Sequence, residues 1–485
     1  MSISAGLSNA LSGLTAASRR AQVVSSNVSN AQTEGYARRE LIVSARVTGG
    51  LGAGVQIDGV RRVVDEALIA DRRIADADAG LSNTLSRYLD QIQNAVGLPG
   101  DPGSLDASVA GFEAALIEAA GKPDSDIRLA SLLDSAQTLA QSLSDGSDKI
   151  QKTRVDADRE ISNEVGRLND GLRQVADLND LIQRARATDQ DNPALEDQRQ
   201  QVIDRIADII PVRQITRDNG AVALYTTTGT LLVETEAAAF EFTATEPITA
   251  DMTLASGALS GLTVDGDPVP VNAGPSSIAS GSLAGLFAIR DESTVEAQAR
   301  LDGLARDLVE RFEDPAVDPT LMPGDAGLFT DAGGALDVLD LVGLSSRLQI
   351  NDAVSPAGGG ELWRLRDGIN AVAPGPVGNN EQLQRLSDAL NDVRAPSTAL
   401  LGGASRAFAG LVSEGVAELA RAAESAEQSA VFSQSRRDAL KEAELDLGVD
   451  TDQEMQQLLL IEQAFAANAR VIQTIDQMIQ SLLEI

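Results

Sequence analysis

The side chains in this sequence best placed to do chemistry are carboxylates. Seventy-two Asp and Glu stand against 39 Lys and Arg, and pairs such as Asp76/Asp78 and Asp265/Asp267 could divide general-acid and general-base roles if a fold drew them into a cleft. Nothing around them completes a reaction site. The 485 residues include no Cys and no His, which removes thiolate nucleophiles, zinc ligation by Cys or His, disulfides and Ser-His-Asp triads together. No phosphate, nucleotide or metal signature surrounds the acidic pairs. The acidic turns near residue 265 lack the spaced ligands and closing Glu of a calcium loop. The carboxylates therefore read as solvated surface charge, and the chain is expected to be no enzyme and to hold no cofactor and no metal.

Composition narrows the partners. A formal charge of −33 argues against nucleic acid or an anionic membrane, because both would repel it. No run approaches the roughly 18 apolar residues of a membrane span. The first basic residue is Arg19, and no compact apolar stretch precedes a cleavage site, so any export is expected to proceed without a cleaved signal. Apolar residues make up 43% of the chain but aromatics only 3%, which calls for an aliphatic, Ala-rich core of closely packed helices. Such a length exceeds one ordinary core.

The elements that organise the chain are its two ends. Leu458, Ile461, Phe465, Asn468, Ile472, Ile475, Ile479 and Leu482 fall at alternating steps of three and four, the seam of a helix that packs along a partner. Asn468 is its polar member, a residue type that fixes register at such a position. Thr451 and Glu454 have capping-box spacing for the helix start. The other end repeats the pattern with smaller residues: Ile3, Leu7, Ala10, Leu14, Ala17, Ala21, Val24 and Val28. Neither helix should be stable alone, and each fits the other. A pairing of Asn468 with Asn27 and Asn30 is a further expectation.

After the first helix comes Asn27-Val-Ser-Asn30-Ala-Gln-Thr33-Glu-Gly35-Tyr36-Ala-Arg38, a helix exit and turn that leads into an extended stretch around Leu41-Ile-Val43. This motif resembles the N-terminal signature of the bacterial flagellar axial proteins, the family of rod, hook and hook-filament junction proteins, with Ser29 and Glu34 as departures. At the other end Gln463-Ala464-Phe465-Ala-Ala-Asn468-Ala-Arg470-Val471-Ile472 is similar to the family's C-terminal pattern, with Phe465 in place of Tyr. Leu447-Gly-Val-Asp450 keeps the family's Gly-Val and acidic elements before that helix and loses its Ser.

Between the ends, helical patterning covers about 61–96, 104–120, 125–187 and 193–210, with stops at Gly97-Leu-Pro, Lys122-Pro123 and Pro211. Ile161, Val165, Leu168, Leu172, Val175, Asn179 and Ile182 keep a heptad seam, and Gly146 and Gly171 read as tolerated interruptions. Residues 50–60 suggest a short strand or extended link. Strand-like segments at 212–217, 221–227, 231–233, 240–242 and 262–264 are punctuated by Asp218-Asn-Gly220 and Asp265-Gly266. Helix returns at 283–313, an irregular Pro/Gly-rich stretch covers 314–380, and helix resumes to 446. Trp363 reads as a buried anchor.

The expected fold is therefore mainly α with a β-rich insertion: paired N- and C-terminal helices (a coiled coil), a long helical bundle domain and an outer β domain. The expected domains are 1–45 with 450–485 as a terminal coiled-coil assembly domain, 46–211 with 283–449 as an elongated helical domain, and 212–282 as a β-rich outer domain at the far end. The resemblance implies a structural protein of the extracellular flagellum that joins hook to filament by head-to-tail stacking. It implies as partners copies of itself, the hook protein, the second hook-filament junction protein and an export chaperone, with no nucleic acid and no membrane. The assembly interface so implied comprises Ile3, Leu7, Leu14, Val24, Asn27, Val28, Asn30, Thr33, Gly35, Tyr36 and the eight C-terminal seam residues from Leu458 to Leu482. These ends are expected to be disordered in the free monomer and to fold on assembly. A free-standing coiled-coil adaptor or export chaperone in a closed oligomer is the alternative.

Overall fold

The computed structural model describes residues 3–33, 35–48, 51–98, 100–188, 192–271 and 278–483. Expectations at Glu34, Pro99, residue 50 and the extreme chain ends lie outside the described residues. The protein is mostly helical, with a few small sheets.

The two ends of the chain meet at one end of the molecule. Helix α1 (Ile3–Ser29) leads into an antiparallel hairpin, β1 (Arg39–Thr48) and β2 (Leu51–Arg62), longer than the short link expected at 50–60. From this base α2 (Glu66–Val96) runs outward. The Asp65 carboxylate caps it by accepting from the Ala67 and Leu68 N–H groups, and Gly97 stops it at φ +79°. Helix α3 (Leu105–Gly121) starts at a Ser104 cap. Helix α4 (Asp126–Ala187) then returns over 62 residues, about 93 Å at 1.5 Å per residue. Helix α5 (Pro193–Ile209) uses Asn192 as its cap and Pro193 in its first turn.

Two three-stranded sheets follow. One joins β3 (Val212–Thr216), β4 (Val222–Thr226) and β5 (Leu231–Val233). The other joins β6 (Phe240–Glu241), β7 (Thr263–Val264) and β8 (Asp267–Pro268). Helix α6 (Ser282–Ala288) passes through a π turn at Ile289–Ser293 into α7 (Thr294–Phe312). The next stretch holds β9 (Phe329–Asp331), α8 (Leu344–Arg347), β10 (Leu348–Ile350), α9 (Arg364–Asp367) and α10 (Glu381–Asn391). Helix α11 (Phe408–Asp446) runs back along α2, and α12 (Thr451–Leu483) lies along α1.

Helix α4 threads two apolar cores in succession. Its first half, from Leu129 to Ile150, packs with α3, α7, α10 and the start of α11 in a distal core. There the rings of Phe112, Phe312 and Phe329 meet at centroid distances of 5.2 to 5.9 Å. Its second half, from Ala157 to Leu178, packs with α5, α6 and both sheets in a core nearer the base.

This placement corrects the expected layout. The strands at 212–282 form no separate outer domain at the far end. With two to five residues each they cannot bury themselves, and Val222, Leu224, Phe240 and Val264 lie instead on the α4 surface around Leu168, Leu172 and Val175. The far end is the helical distal core. The irregular stretch 314–380 is part of it, since Leu321, Leu328, Phe329, Leu348, Val354 and Leu365 are all buried there. Trp363 is half-buried, with the Arg364 guanidinium 5.0 Å from its ring, so the Phe trio holds the anchor role assigned to it. Gly146 and Gly171 are contact points as well as interruptions: an added Cβ would meet Leu301 at 3.2 Å and Ile206 at 2.9 Å.

Candidate assembly interface

Helices α1 and α12 run antiparallel, since Gly6 abuts Ile475 and Gly13 abuts Asn468. The close approach depends on these glycines. A Cβ on Gly13 would lie 2.9 Å from the Asn468 amide, and one on Gly6 would lie 3.3 Å from Ile475. The apolar contact between the helices centres on Ala17, Val24 and Ile461, flanked by Ala21 and Leu458. Ala10 and Ile475 are buried too. Among the other interface candidates, Ile3, Leu14, Val28, Asn468 and Ile472 are half-buried, while Leu7, Phe465, Ile479 and Leu482 are exposed. A second stripe on α12 carries Leu459, Leu460, Val471 and Met478, all exposed.

The Asn27-to-Arg38 motif locks the exit of α1. Asn27 is buried and faces Arg39 as a strand partner would: its Nδ2 donates to the Arg39 carbonyl at 2.9 Å, and its Oδ1 accepts from the Arg39 N–H at 3.0 Å. The same Oδ1 accepts from the Tyr36 hydroxyl at 2.9 Å. Asn30 Nδ2 donates to the Ser26 carbonyl at 2.9 Å, and the Thr33 hydroxyl donates to Asn30 Oδ1 at 3.4 Å. Gly35 has φ +76°, and a Cβ there would strike the Gln201 side chain at 2.5 Å. The Arg39 guanidinium sits 4.6 Å from the Tyr36 ring.

Two expectations fail here. Asn468 does not pair with Asn27 or Asn30; in an antiparallel pair it lies opposite Gly13, and its Nδ2 donates to the Ala464 carbonyl of its own helix at 3.0 Å. The Thr451/Glu454 capping box is not formed either. Asp450 caps α12 by accepting from the Asp452 and Gln453 N–H groups, which frees Glu454 for another partner.

That partner belongs to a charged neck that joins the base to the bundle, which sequence reasoning missed. Glu454, almost fully buried, accepts from Arg38 Nε at 2.8 Å. Asp197 on α5 accepts from Arg39 at 2.9 Å and from Arg62 at 2.7 Å. One turn outward, Arg72 contacts Asp76 at 2.6 Å and Asp204 at 2.8 Å, and also pairs with Glu444 of α11. Burial works against the Arg72 charge, but Asp204, Glu444 and Asp76 outweigh it and hold its pKa up. Burial pushes Asp76 up to about 6, against the pull of Arg72 and with Asp208 and Asp204 adding repulsion. Apart from Arg72–Asp76, one helical turn apart, the pairs lie 132 (72 to 204) to 416 residues apart in sequence, and only the surplus of Arg over Lys could have signalled them.

The carboxylate pairs do not converge on a reaction site. Asp76 is held by Arg72, Asp78 accepts from Ser280 and Arg436, and Asp265 sits in a turn and accepts from the Ala239 N–H. Among the described residues no cluster of His, Cys, Asp or Glu could hold a metal ion, and no helix is long and apolar enough to cross a membrane.

An antiparallel terminal pair locked by an Asn-Tyr exit thus stands at the foot of a long helical bundle, the arrangement that the resemblance of the chain's ends implies. Comparison with known proteins agrees. Residues 7–36 match the flagella basal body rod protein model, residues 447–485 the C-terminal model of the flagellar basal body rod FlgEFG proteins, and residues 89–318 the helical domain of flagellar hook-associated protein FlgK. Together these three models, all of flagellar rod or hook-associated proteins, match both ends and the middle of the chain. The relatives found are named flagellar hook-associated protein 1. That of Salmonella typhimurium is 26% identical over 63% of this chain and 55% of its own length. The Escherichia coli protein is 25% identical over 66% and 58%, and the Bacillus subtilis protein 24% over 47% of each. The match thus spans about half the length of these relatives. The flagellar hook junction protein FlgK of Burkholderia pseudomallei aligns over 54% of this chain and 47% of its own, at 20% identity and a TM-score of 0.43.

Proposed function

We propose that this chain is a structural subunit of the bacterial flagellum that joins hook to filament, through head-to-tail assembly of copies into an open helical array. The observation that carries the reading is the unfinished terminal pair. Helices α1 and α12 cover one stripe of each other and leave Leu11, Leu459, Leu460, Val471, Met478 and Leu482 in water. Aliphatic surface of this extent on one element calls for a partner. In the array, neighbouring copies supply it, and the interface comprises the seam residues of both helices together with the Asn27, Asn30, Thr33, Gly35 and Tyr36 exit. The terminal helices then act as a coiled coil whose strands come from more than one copy.

The hook protein and the second hook-filament junction protein would meet the two ends of the array. An export chaperone would cover the exposed stripe before assembly, and the working location is extracellular. The base, residues 3–62 with 450–483, is the assembly domain; the rest is an elongated body. Deletion of residues 454–485 in a flagellated cell that lacks its own junction protein tests this. Hooks should persist without attached filaments. Normal attachment would sink the reading.

A further inference from the structure

One flank of the neck carries a groove of about 650 Å³, continued by another 160 Å³ past Val60 and Pro193, which line both parts. Its walls bear Arg19, Arg39, Arg61, Arg62, Arg186 and Arg199. The carboxylates that line or back it are Glu40, Glu66, Glu196 and Asp197. Six arginines against four carboxylates is a local reversal of sign in a chain of formal charge −33. Between the arginines the wall is apolar, with Val23, Ile42, Val60 and Pro193, and Ile42 is 38% exposed.

The corner between α11 and α12 has the complementary character. Glu442, Asp446, Asp450 and Asp452 are exposed there, and between them Leu445 and Leu447 are 69% and 47% exposed. The corner and the groove stand on either side of one stretch of backbone: Val64 lines the groove, and it also lines the small cavity that Leu447 and Gly448 share with Tyr36 and Arg38.

We propose that the acidic corner of one copy docks into the arginine groove of the next. Leu445 and Leu447 cover Ile42 and Val60, while Glu442 and Asp446 face Arg19 and Arg61. The proposal rests on the array reading above and names a contact in it. Knob and groove are different surfaces, so the contact repeats from copy to copy without closing on itself after two. The charges fix which faces meet, since groove against groove and corner against corner repel.

Because the chain has no Cys, introduced thiols report on this contact alone. Flagella carrying the Ile42→Cys/Leu447→Cys chain should give a ladder of covalent multimers on mild oxidation. Flagella carrying Ile42→Cys/Leu339→Cys should not, since Leu339 is 94% exposed on the distal body. Filamented flagella that contain the first variant but give no more ladder than the second would overturn the proposal and leave the array reading standing. A charge exchange gives an independent measure. Arg19→Glu/Arg61→Glu and Glu442→Arg/Asp446→Arg should each lower filament attachment about tenfold, and all four together should restore it. Failure of the fourfold variant to recover would count against this contact, whereas normal attachment after deletion of 454–485 would remove the array itself.

Discussion

In the distal core, Phe112, Phe312 and Phe329 are fully buried, Phe112 and Phe329 edge against face and Phe312 tilted against both, with leucines from α3, α4, α7, α10 and α11 around them. At the base, the apolar contact between α1 and α12 reduces to Ala17, Val24 and Ile461 with two flanking residues. Both regions are helices with aliphatic stripes. The difference is that the body closes its stripes within the chain, whereas the base has more stripe than one chain can cover. On the proposed reading, stability and assembly fall to different parts of the molecule.

Four measurements bear on that contrast, starting with the largest effect. Limited proteolysis of free monomer should cut within 3–40 and 450–483 well before the body, since poorly packed elements open at a cost near zero and core elements only with global unfolding. Equal resistance would erase the contrast. Phe312→Ala should cost about 3–5 kcal/mol in urea unfolding, while Ile461→Ala should cost the monomer less than about 1 kcal/mol and still impair filament attachment. Asn179→Leu should destabilise the body by about 1–3 kcal/mol, because it strands the Val222 N–H and carbonyl and removes an acceptor from the buried Arg199.

The smallest effect is a pH dependence at the neck. Asp76 has a folded-state pKa of about 6, above the ordinary carboxylate value. The folded chain therefore binds a proton there that the unfolded chain releases. The stabilising contribution is complete below the unfolded value and is lost as pH rises through about 6. Between pH 5 and pH 7.5 the wild type should lose roughly 1–2 °C more in Tm than Asp76→Asn. An equal loss in both chains would assign the titration to other groups.

Periodicity made the helices readable. The buried residues of α4 at 161, 165, 168, 172, 175, 179 and 182 are the seam that the sequence displays, and the end of α2 is marked by its Gly. Periodicity also shows that a face is buried but not what covers it. The α4 seam reads as a coiled coil, yet it meets strands and α5. Spacing alone misassigned Glu454, because Thr451 has capping-box spacing but Asp450 is the residue that accepts from the first-turn N–H groups. The neck was invisible for a different reason. An arginine and a carboxylate far apart in sequence leave no pattern until the fold brings them together.

The clamp that Asn27 places on Arg39 occurs twice more, Asn169 holding Phe240 and Asn179 holding Val222, each through one donated and one accepted bond to a single residue's backbone. A side-chain amide that recognises only N–H and C=O is indifferent to which amino acid it holds. Positions 39, 222 and 240 can therefore drift in identity, as far as the clamp is concerned, while the strand stays in place. The asparagines have no such latitude, since an aspartate of the same size has lost the donor. Over many generations the three asparagines should change least, while at 39, 222 and 240 packing and charge, and not the clamp, decide what can replace the side chain.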